Sequence, residues 1–370
     1  MMQIPAELRP RDGRFGSGPS KVRPEAVAAL YRSASGFLGT SHRHAGVRTV
    51  VARLKEALSE LFGLPAGYEV VLGNGGSTAF WDALTCGLIE RRSQHVVFGE
   101  FSHKCSEVVR AAPFLSEPDI IESEFGSHPV PVPVADVDLY ALTHNETSTG
   151  VTMPVRRVDD DGLVAVDATS AAGGLLVDPD EFDVYYFAPQ KCFASDAGLW
   201  IALCSPRAIE RIESLAASDR YIPPFLSLRI ALENARKDQT YNTPALATLF
   251  LTLEQTRWIL DSGGLEWASA RCAQSSSLLY SWAEDSEYAQ PFVKDPAMRS
   301  PVVVTIDLIE EVPAAAVAEI LRANGILDTE PYRKLERNQL RIATYPAIEP
   351  DDVELLTKSI GYVVEAIRGG

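Results

Sequence analysis

The sequence of 370 residues lacks any long uncharged segment. The longest covers residues 239–253, only 15 positions, whereas a helix that crosses a bilayer needs about 18 or more apolar residues. The first 20 residues, MMQIPAELRPRDGRFGSGPS, also lack the basic start and apolar core of a secretory signal. We therefore expect a cytoplasmic protein with no membrane partner.

Cysteine is scarce, with five residues of which no two form a CxxC pair. An odd, scattered set is typical of reduced and mostly buried thiols. It argues against a disulfide framework and against a zinc site, so we expect no metal.

Positive charge is in deficit, because 34 lysines and arginines face 50 acidic residues and leave a net charge of -16. Such a field repels nucleic acids and acidic membranes, so neither is an expected partner. A small anionic ligand would need a local cluster of basic side chains and backbone N–H groups to overcome this field.

The composition, 46% hydrophobic and 23% charged, is that of a folded globular protein, and the length favours two domains. From residue 46 onward, helical and strand-like patterns alternate, which predicts an α/β fold with a mainly parallel sheet covered by helices. We expect a large domain over 1–260 and a smaller C-terminal α+β domain over 261–370. Predicted helices cover 47–62, 77–89, 102–112, 244–261, 265–284, 313–324 and 350–367, and predicted strands cover 69–72, 95–98, 120–121, 138–143, 163–167, 184–187, 199–204, 302–307 and 339–344.

Four segments that end predicted strands are the first places to look for a site, because ligands of open α/β sheets bind beyond the carboxyl ends of the strands. They are 73–78 (GNGGST), 144–147 (HNET), 167–170 (DATS) and 188–191 (APQK). The first opens a helix, so the N–H groups of Gly76, Ser77 and Thr78 could hold a phosphate, or they could simply form a tight turn. It lacks the GKS/T of a P-loop and the full GxGxxG spacing.

Two charged residues at these ends have alternative interpretations. Asp167 follows the apolar residues 163–166, where it could cap a helix or pair with a cationic ring nitrogen. Lys191 has small or uncharged neighbours, and burial there would leave a neutral amine that can attack a carbonyl carbon. A lone loop lysine is more often solvated, so the interpretation depends on the other motifs.

Taken in order, these motifs resemble the fold-type I pyridoxal-phosphate enzymes of class V, and within them the phosphoserine aminotransferase family. The strings that carry the resemblance span most of the chain: 15–19 (FGSGP), 41–43 (SHR), 145–151 (NETSTGV), 166–170 (VDATS), 190–191 (QK), 242–244 (NTP) and 340–343 (LRIA).

The resemblance implies roles for several residues around the cofactor. Lys191 would hold pyridoxal phosphate covalently and move a proton during the reaction, and Asp167 would keep the pyridine nitrogen protonated. Phe101 would stack on the ring, at a place where many members have tryptophan; otherwise it is a core aromatic. The other implied cofactor contacts are Gly76, Ser77, Thr78, Thr147 and Gln190, together with Asn242 and Thr243 from the neighbouring subunit.

A homodimer with shared active sites is implied as well, although Asn242 and Thr243 could also cap the helix that follows Pro244. For the substrate, Arg341 would bind the α-carboxylate, and His42, Arg43 and Arg333 would bind the distal phosphate or carboxylate. The family often has histidine before the arginine at 333, but here that residue is Tyr332.

The implied reaction transfers an amino group between glutamate and 3-phosphohydroxypyruvate to give O-phosphoserine and 2-oxoglutarate, in serine and by extension pyridoxine biosynthesis. One alternative is a related class V aminotransferase that uses alanine or serine with glyoxylate, and the His42, Arg43 and Arg333 group argues against it. Another is a non-catalytic nucleotide-binding module, which would need a complete phosphate-binding fingerprint that is missing here.

Overall fold

The computed structural model describes residues 2–369, and its first nine strands are β1 (Glu69–Asn74), β2 (Ser93–Val97), β3 (Asp119–Glu122), β4 (Leu139–Thr143), β5 (Asn145–Glu146), β6 (Val151–Thr152), β7 (Leu163–Asp167), β8 (Val184–Phe187) and β9 (Leu199–Cys204). Seven of them form one sheet in the order β1-β9-β8-β7-β4-β2-β3. The pairs from β8 to β3 are parallel, while β9 is antiparallel to both β8 and β1. The predicted mainly parallel α/β sheet is confirmed.

Ten α-helices accompany the sheets: α1 (Pro24–Phe37), α2 (Ala45–Leu61), α3 (Ser77–Gly87), α4 (Glu100–Arg110), α5 (Pro206–Ala216), α6 (Leu228–Ala235), α7 (Leu246–Ser262), α8 (Gly264–Glu284), α9 (Ala314–Ala323) and α10 (Pro350–Gly369). Strand β7 shows how they cover the sheet, because all five of its residues are buried. Val164 and Val166 pack in the core that α2 and α7 cover, and Ala165 packs in the opposite core with α3, α5 and α6. Burial on both faces explains why this strand reads as a continuous apolar run.

The C-terminal part contains a second, antiparallel sheet of β10 (Ala289–Pro291), β11 (Val303–Leu308) and β12 (Gln339–Ala343). Helix α7 packs on α1 and α2, whereas α8 packs on α10 and this small sheet, and Gly263 lies between the two helices. The division near residue 260 remains a proposal that this packing supports. The N-terminal segment lies against the C-terminal elements, since the Ile4 N–H donates to Asn324 and the Arg11 N–H to Asp352.

Six of these helices and strands were absent from the predictions, namely α1, α5, α6, β5, β6 and β10. Helix α5 carried recognisable signals, because the Ser205 side chain caps it by accepting from the Ala208 N–H and Pro206 occupies its first turn. Helix α4 begins two residues earlier than predicted, so Phe101 lies in its first turn rather than beyond the end of a strand. All five cysteines are buried with free thiols, as predicted. Over residues 2–369, no helix is both long and apolar enough to cross a membrane.

Candidate active site

The strand ends that the sequence singled out surround one cavity of about 220 Å³. Because β4, β7 and β8 are parallel, their carboxyl ends lie at the same edge of the sheet, and the amino end of α3 closes one side of the cavity. The lining residues are Gly18, Gly75, Gly76, Ser77, Thr78, Trp81, Phe101, Thr143, Asn145, Thr147, Asp167, Thr169, Gln190, Lys191, Ala197 and Gly198. The predicted cofactor residues therefore line the same cavity as Lys191, except for Asn242 and Thr243, which do not line it.

The amino end of α3 offers free donors to a ligand. Gly76 stands at its N-cap position with φ 83°, a conformation that favours glycine, and no side chain caps the helix. The Ser77 hydroxyl lies 2.6 Å from that of Thr169, which joins the helix to the loop after β7. Uncapped N–H groups at the positive end of a helix form a ready site for a phosphate.

Lys191 is 7% exposed, and its Nζ donates to the Thr147 hydroxyl at 2.9 Å. Burial lowers its pKa to about 8, although the negative charge of Asp167 opposes this and the positive charge of Arg341 adds to it. A Cβ on Gly18 would lie 2.7 Å from the Lys191 Cε and push the lysine out of its present position, and the φ of 139° at this residue also favours glycine. The side chain is thus held in place with an amine that loses its proton easily.

A directed chain of hydrogen bonds continues from Lys191. The Thr147 hydroxyl donates to Ser170 Oγ at 2.9 Å, and Ser170 donates in turn to the Asn145 carbonyl at 3.0 Å. Among the described residues, the buried Asn145 Oδ1 and Gln190 Oε1 accept no hydrogen bond. Since both residues line the cavity, these orphaned acceptors fit a polar ligand bound there.

The Asp167 carboxylate is fixed by two donors. Its Oδ1 accepts from the Thr169 N–H at 2.9 Å, and its Oδ2 accepts from the indole Nε1 of Trp81 at 3.0 Å. The side chain is buried and lines the cavity, so an anionic oxygen is available to a cationic ring nitrogen. The bond from the Thr169 N–H, two residues on, is of the kind that a capping aspartate accepts. The bond from the distant Trp81 indole is not a capping bond.

Phe101 lines the cavity from α4, with its ring centroid 5.4 Å from the Lys191 Nζ. The amino end of α4 differs from that of α3 because Glu146, fully buried, occupies it. The Glu146 carboxylate accepts from the Ser102 N–H at 2.9 Å and from the Ser148 hydroxyl at 2.7 Å. An incoming anion therefore finds a free helix terminus at α3 and an occupied one at α4.

Arg341 comes from β12 of the second sheet and reaches toward the same region. Its Nη1 donates to the Thr147 carbonyl at 3.3 Å, and its guanidinium lies 5.3 Å from the Tyr332 ring centroid. Burial lowers its pKa, and its buried Nε has no hydrogen-bond partner in the part of the chain that the structure describes. An arginine with a spare donor beside Thr147 suits a carboxylate ligand.

Four predicted residues lie together but outside the cavity. Thr243 and His42 are in contact, with Oγ1 and Nδ1 3.2 Å apart, and Arg43 donates to Gln239 at 3.0 Å. Asn242 is exposed next to them. Within one chain, the structure does not bring this group to Lys191.

Arg333 is exposed in a short helical turn and does not line the cavity either. Its neighbour Lys334 pairs with Glu100, which also pairs with Lys104 at 3.0 Å. The basic side chains of Lys104 and Lys334 therefore gather at the start of α4, where Phe101 lies.

Sequence reasoning missed several residues of the site, above all Trp81, Glu146, Ser170 and Gly18. Trp81 could have been found, because it follows Ser77 by four residues in a helix and such residues share a face. Gly18, Glu146 and Ser170 stand within the strings that carried the resemblance, but nothing in the sequence pattern indicates the partners of their side chains.

Comparison with known proteins agrees with this geometry. The family model for aminotransferase class-V matches residues 132–328. A putative phosphoserine aminotransferase of Mycobacterium avium (strain 104) is 60% identical over 99% of this chain and 98% of its own. A phosphoserine aminotransferase of a Nocardioides species is 59% identical, with 98% of each chain covered.

Solved structures give the same result. The crystal structure of a phosphoserine aminotransferase from Cytophaga hutchinsonii has a TM-score of 0.87 and 28% identity, and the match covers 94% of this chain and 98% of that one. The fold itself is shared more widely, since a ureidoglycine-glyoxylate aminotransferase of Bacillus subtilis reaches a TM-score of 0.80 at 19% identity over 100% of this chain and 95% of that one. From the identities over nearly the whole length, the chain belongs to the phosphoserine aminotransferases within the class-V aminotransferase family.

Proposed function

We propose that this chain is a phosphoserine aminotransferase that uses pyridoxal phosphate to transfer an amino group between glutamate and 3-phosphohydroxypyruvate, giving O-phosphoserine and 2-oxoglutarate. Serine biosynthesis is the process it serves. The observation that carries the proposal is the buried Lys191, with a pKa of about 8, in the same cavity as the fixed carboxylate of Asp167. A lysine and an aspartate in this relation are what pyridoxal-phosphate chemistry needs.

The residues present fit the cofactor at each of its ends. The uncapped N–H groups at the start of α3 would hold its phosphate, and the Asp167 carboxylate would pair with its ring nitrogen. Phe101 would cover one face of the ring. When bound, pyridoxal phosphate supplies an electron sink that stabilises negative charge at the substrate Cα.

Lys191 first has to be neutral to bond to the cofactor, and its lowered pKa leaves about one amine in ten neutral at pH 7. With substrate and cofactor bound, its Nζ would act as the general base that takes the proton from the substrate Cα, and would hold that proton inside the cavity as an ammonium group. The Thr147 hydroxyl, 2.9 Å from Nζ, keeps the amine oriented toward the cavity. The same lysine thus acts as anchor and as general base.

Substrate orientation requires cations at two ends. Arg341 would bind the α-carboxylate that all amino-acid substrates share, since its buried Nε has a free donor. The distal phosphate or carboxylate would be bound by Arg333 and by His42 and Arg43. Because the latter two lie away from their own cavity, we assign them to the site of a partner subunit, together with the cofactor contacts of Asn242 and Thr243.

The functional unit is accordingly a homodimer with shared active sites. Five buried free thiols fit a reducing compartment, and we place the enzyme in the cytoplasm.

Coupled transamination tests the proposal. O-phosphoserine with 2-oxoglutarate should react with a kcat/KM at least a hundredfold above that of alanine or serine with glyoxylate, and Lys191→Ala should abolish turnover in both. Comparable rates with alanine and glyoxylate would favour the alternative class V activity. A protein that gains no visible absorbance with pyridoxal phosphate would overturn the cofactor assignment.

A further inference from the structure

Trp81 is a buried tryptophan that lines the cavity of the site. It lies in α3, one turn beyond Ser77, and is 4% exposed. The indole N–H is the only polar group of a tryptophan side chain. Here that group donates to Asp167 Oδ2 at 3.0 Å, so a buried anion of the site takes up the single donor.

The second donor to Asp167 comes from a different element. The Thr169 N–H, in the loop after β7, reaches Oδ1 at 2.9 Å. With one donor on each oxygen, the carboxylate cannot rotate without losing a bond. A carboxylate accepts about four hydrogen bonds, so lone pairs remain on both oxygens for a ligand in the cavity.

Helix α3 therefore acts at two points of the site. Its amino end carries the phosphate-binding N–H groups and its next turn carries Trp81. A second contact ties the helix to the same loop, because the Ser77 and Thr169 hydroxyls lie 2.6 Å apart. One rigid element thus fixes the distance between the phosphate end and the ring-nitrogen end of the site.

We infer that Trp81 is a positioning residue of this enzyme, whose indole N–H orients the Asp167 carboxylate toward the ring nitrogen of the cofactor. The inference rests on the proposed use of pyridoxal phosphate. It predicts that removal of the N–H alone weakens cofactor binding, because Asp167 then loses one of the two donors that fix its orientation.

The test compares two tryptophan-to-phenylalanine variants of the apo-protein by equilibrium titration with pyridoxal phosphate. Trp200 is the matched control: it is also 4% exposed and packs in the same core as Trp81, and in the described chain its indole makes no hydrogen bond to Asp167. Trp81→Phe should raise the dissociation constant roughly tenfold, in the range of a hydrogen bond to a charged group. Trp200→Phe should stay within about twofold of the wild type.

A double-mutant cycle shows whether the effect passes through Asp167. In an Asp167→Asn background the carboxylate charge is gone, so adding Trp81→Phe should change the dissociation constant by less than about twofold. An undiminished tenfold effect in that background would mean that Trp81 acts by packing, and would overturn the inference.

Other outcomes are equally decisive. If Trp81→Phe fails to fold by circular dichroism, benzothienylalanine at position 81 replaces only the N–H by sulfur and should give the same tenfold loss. If Trp81→Phe, or the protein with benzothienylalanine at position 81, binds pyridoxal phosphate as tightly as the wild type, the positioning role is refuted. A wild-type protein that binds no pyridoxal phosphate refutes the proposed function instead, which separates the two failures.

Discussion

Lys191 should lose its proton near pH 8, and this acidity is the physical basis of the proposed chemistry. Burial moves its pKa from 10.5 to about 8. At pH 7 the neutral fraction then rises from roughly one molecule in 3,000 to about one in ten, an enrichment of ~300-fold. Below pH 8 the amount of free amine should increase about tenfold per pH unit, and above pH 9 it should be constant.

Removing a charged neighbour of Lys191 should change the pKa of the lysine in a direction set by the sign of that charge. The negative charge of Asp167 raises the pKa of Lys191 and the positive charge of Arg341 lowers it. Asp167→Asn should therefore shift the titration to lower pH, and Arg341→Met should shift it to higher pH. Opposite shifts from two neighbours exclude a general change in stability as the cause.

Competitive acetylation of the apo-protein with acetic anhydride between pH 6 and pH 11 measures the titration, with each lysine quantified by mass spectrometry. The exposed Lys358 in the same sample serves as the internal reference. Only the midpoint of each curve is interpreted, because limited access lowers the plateau of Lys191 without moving its midpoint. A midpoint near 10, or shifts of the same sign in both variants, would refute the reasoning.

Three further predictions concern stability and specificity. Lys191→Met should raise the free energy of unfolding of the apo-protein at pH 7 by up to ~3 kcal/mol, because the buried ammonium is costly below pH 8, and the gain should vanish above pH 10.5 in denaturant titrations. Glu146→Gln should cost about 1–3 kcal/mol in the same assay, because in either orientation the amide NH₂ would face a backbone N–H, that of Ser102 or that of Ser148. The exposed Glu107→Gln on the same helix should stay within ~0.5 kcal/mol. Arg43→Gln should reduce kcat/KM at least tenfold for O-phosphoserine but less than twofold for alanine. The control variant Arg48→Gln, in the neighbouring helix, should leave both values unchanged. Equal losses for both substrates in Arg43→Gln would count against a role of Arg43 in binding the distal anion.

Much of the fold could be predicted because its signals are local. The strand at 163–167 was predicted with its observed bounds, since a strand buried on both faces reads as an apolar run that ends at a polar residue. The rule that ligands bind beyond the carboxyl ends of such strands then led to Thr147, Asp167 and Lys191, which the structure brings together. The resemblance predicted the family, and the comparisons confirm it.

The remainder depends on contacts between distant parts of the chain. Trp81 and Asp167 are 86 positions apart and Glu146 and Ser102 are 44 apart, so no periodicity in the sequence indicates these pairs. The sequence placed Phe101 before the helix that was predicted to begin at residue 102, whereas Phe101 is the second residue of α4. The start of α4 was missed because its N-cap residue is Gly99, which has no side chain to cap the helix. The cap comes from Glu146, which only the folded chain supplies.

A single half-reaction tests the central claim most directly. The protein loaded with pyridoxal phosphate is mixed with O-phosphoserine in the absence of any keto acid, and the released 3-phosphohydroxypyruvate is counted per chain. We predict one equivalent per chain, with turnover resuming when 2-oxoglutarate is added, and none from Lys191→Ala. No product from O-phosphoserine, or an equal yield of pyruvate from alanine at the same rate, would contradict the account.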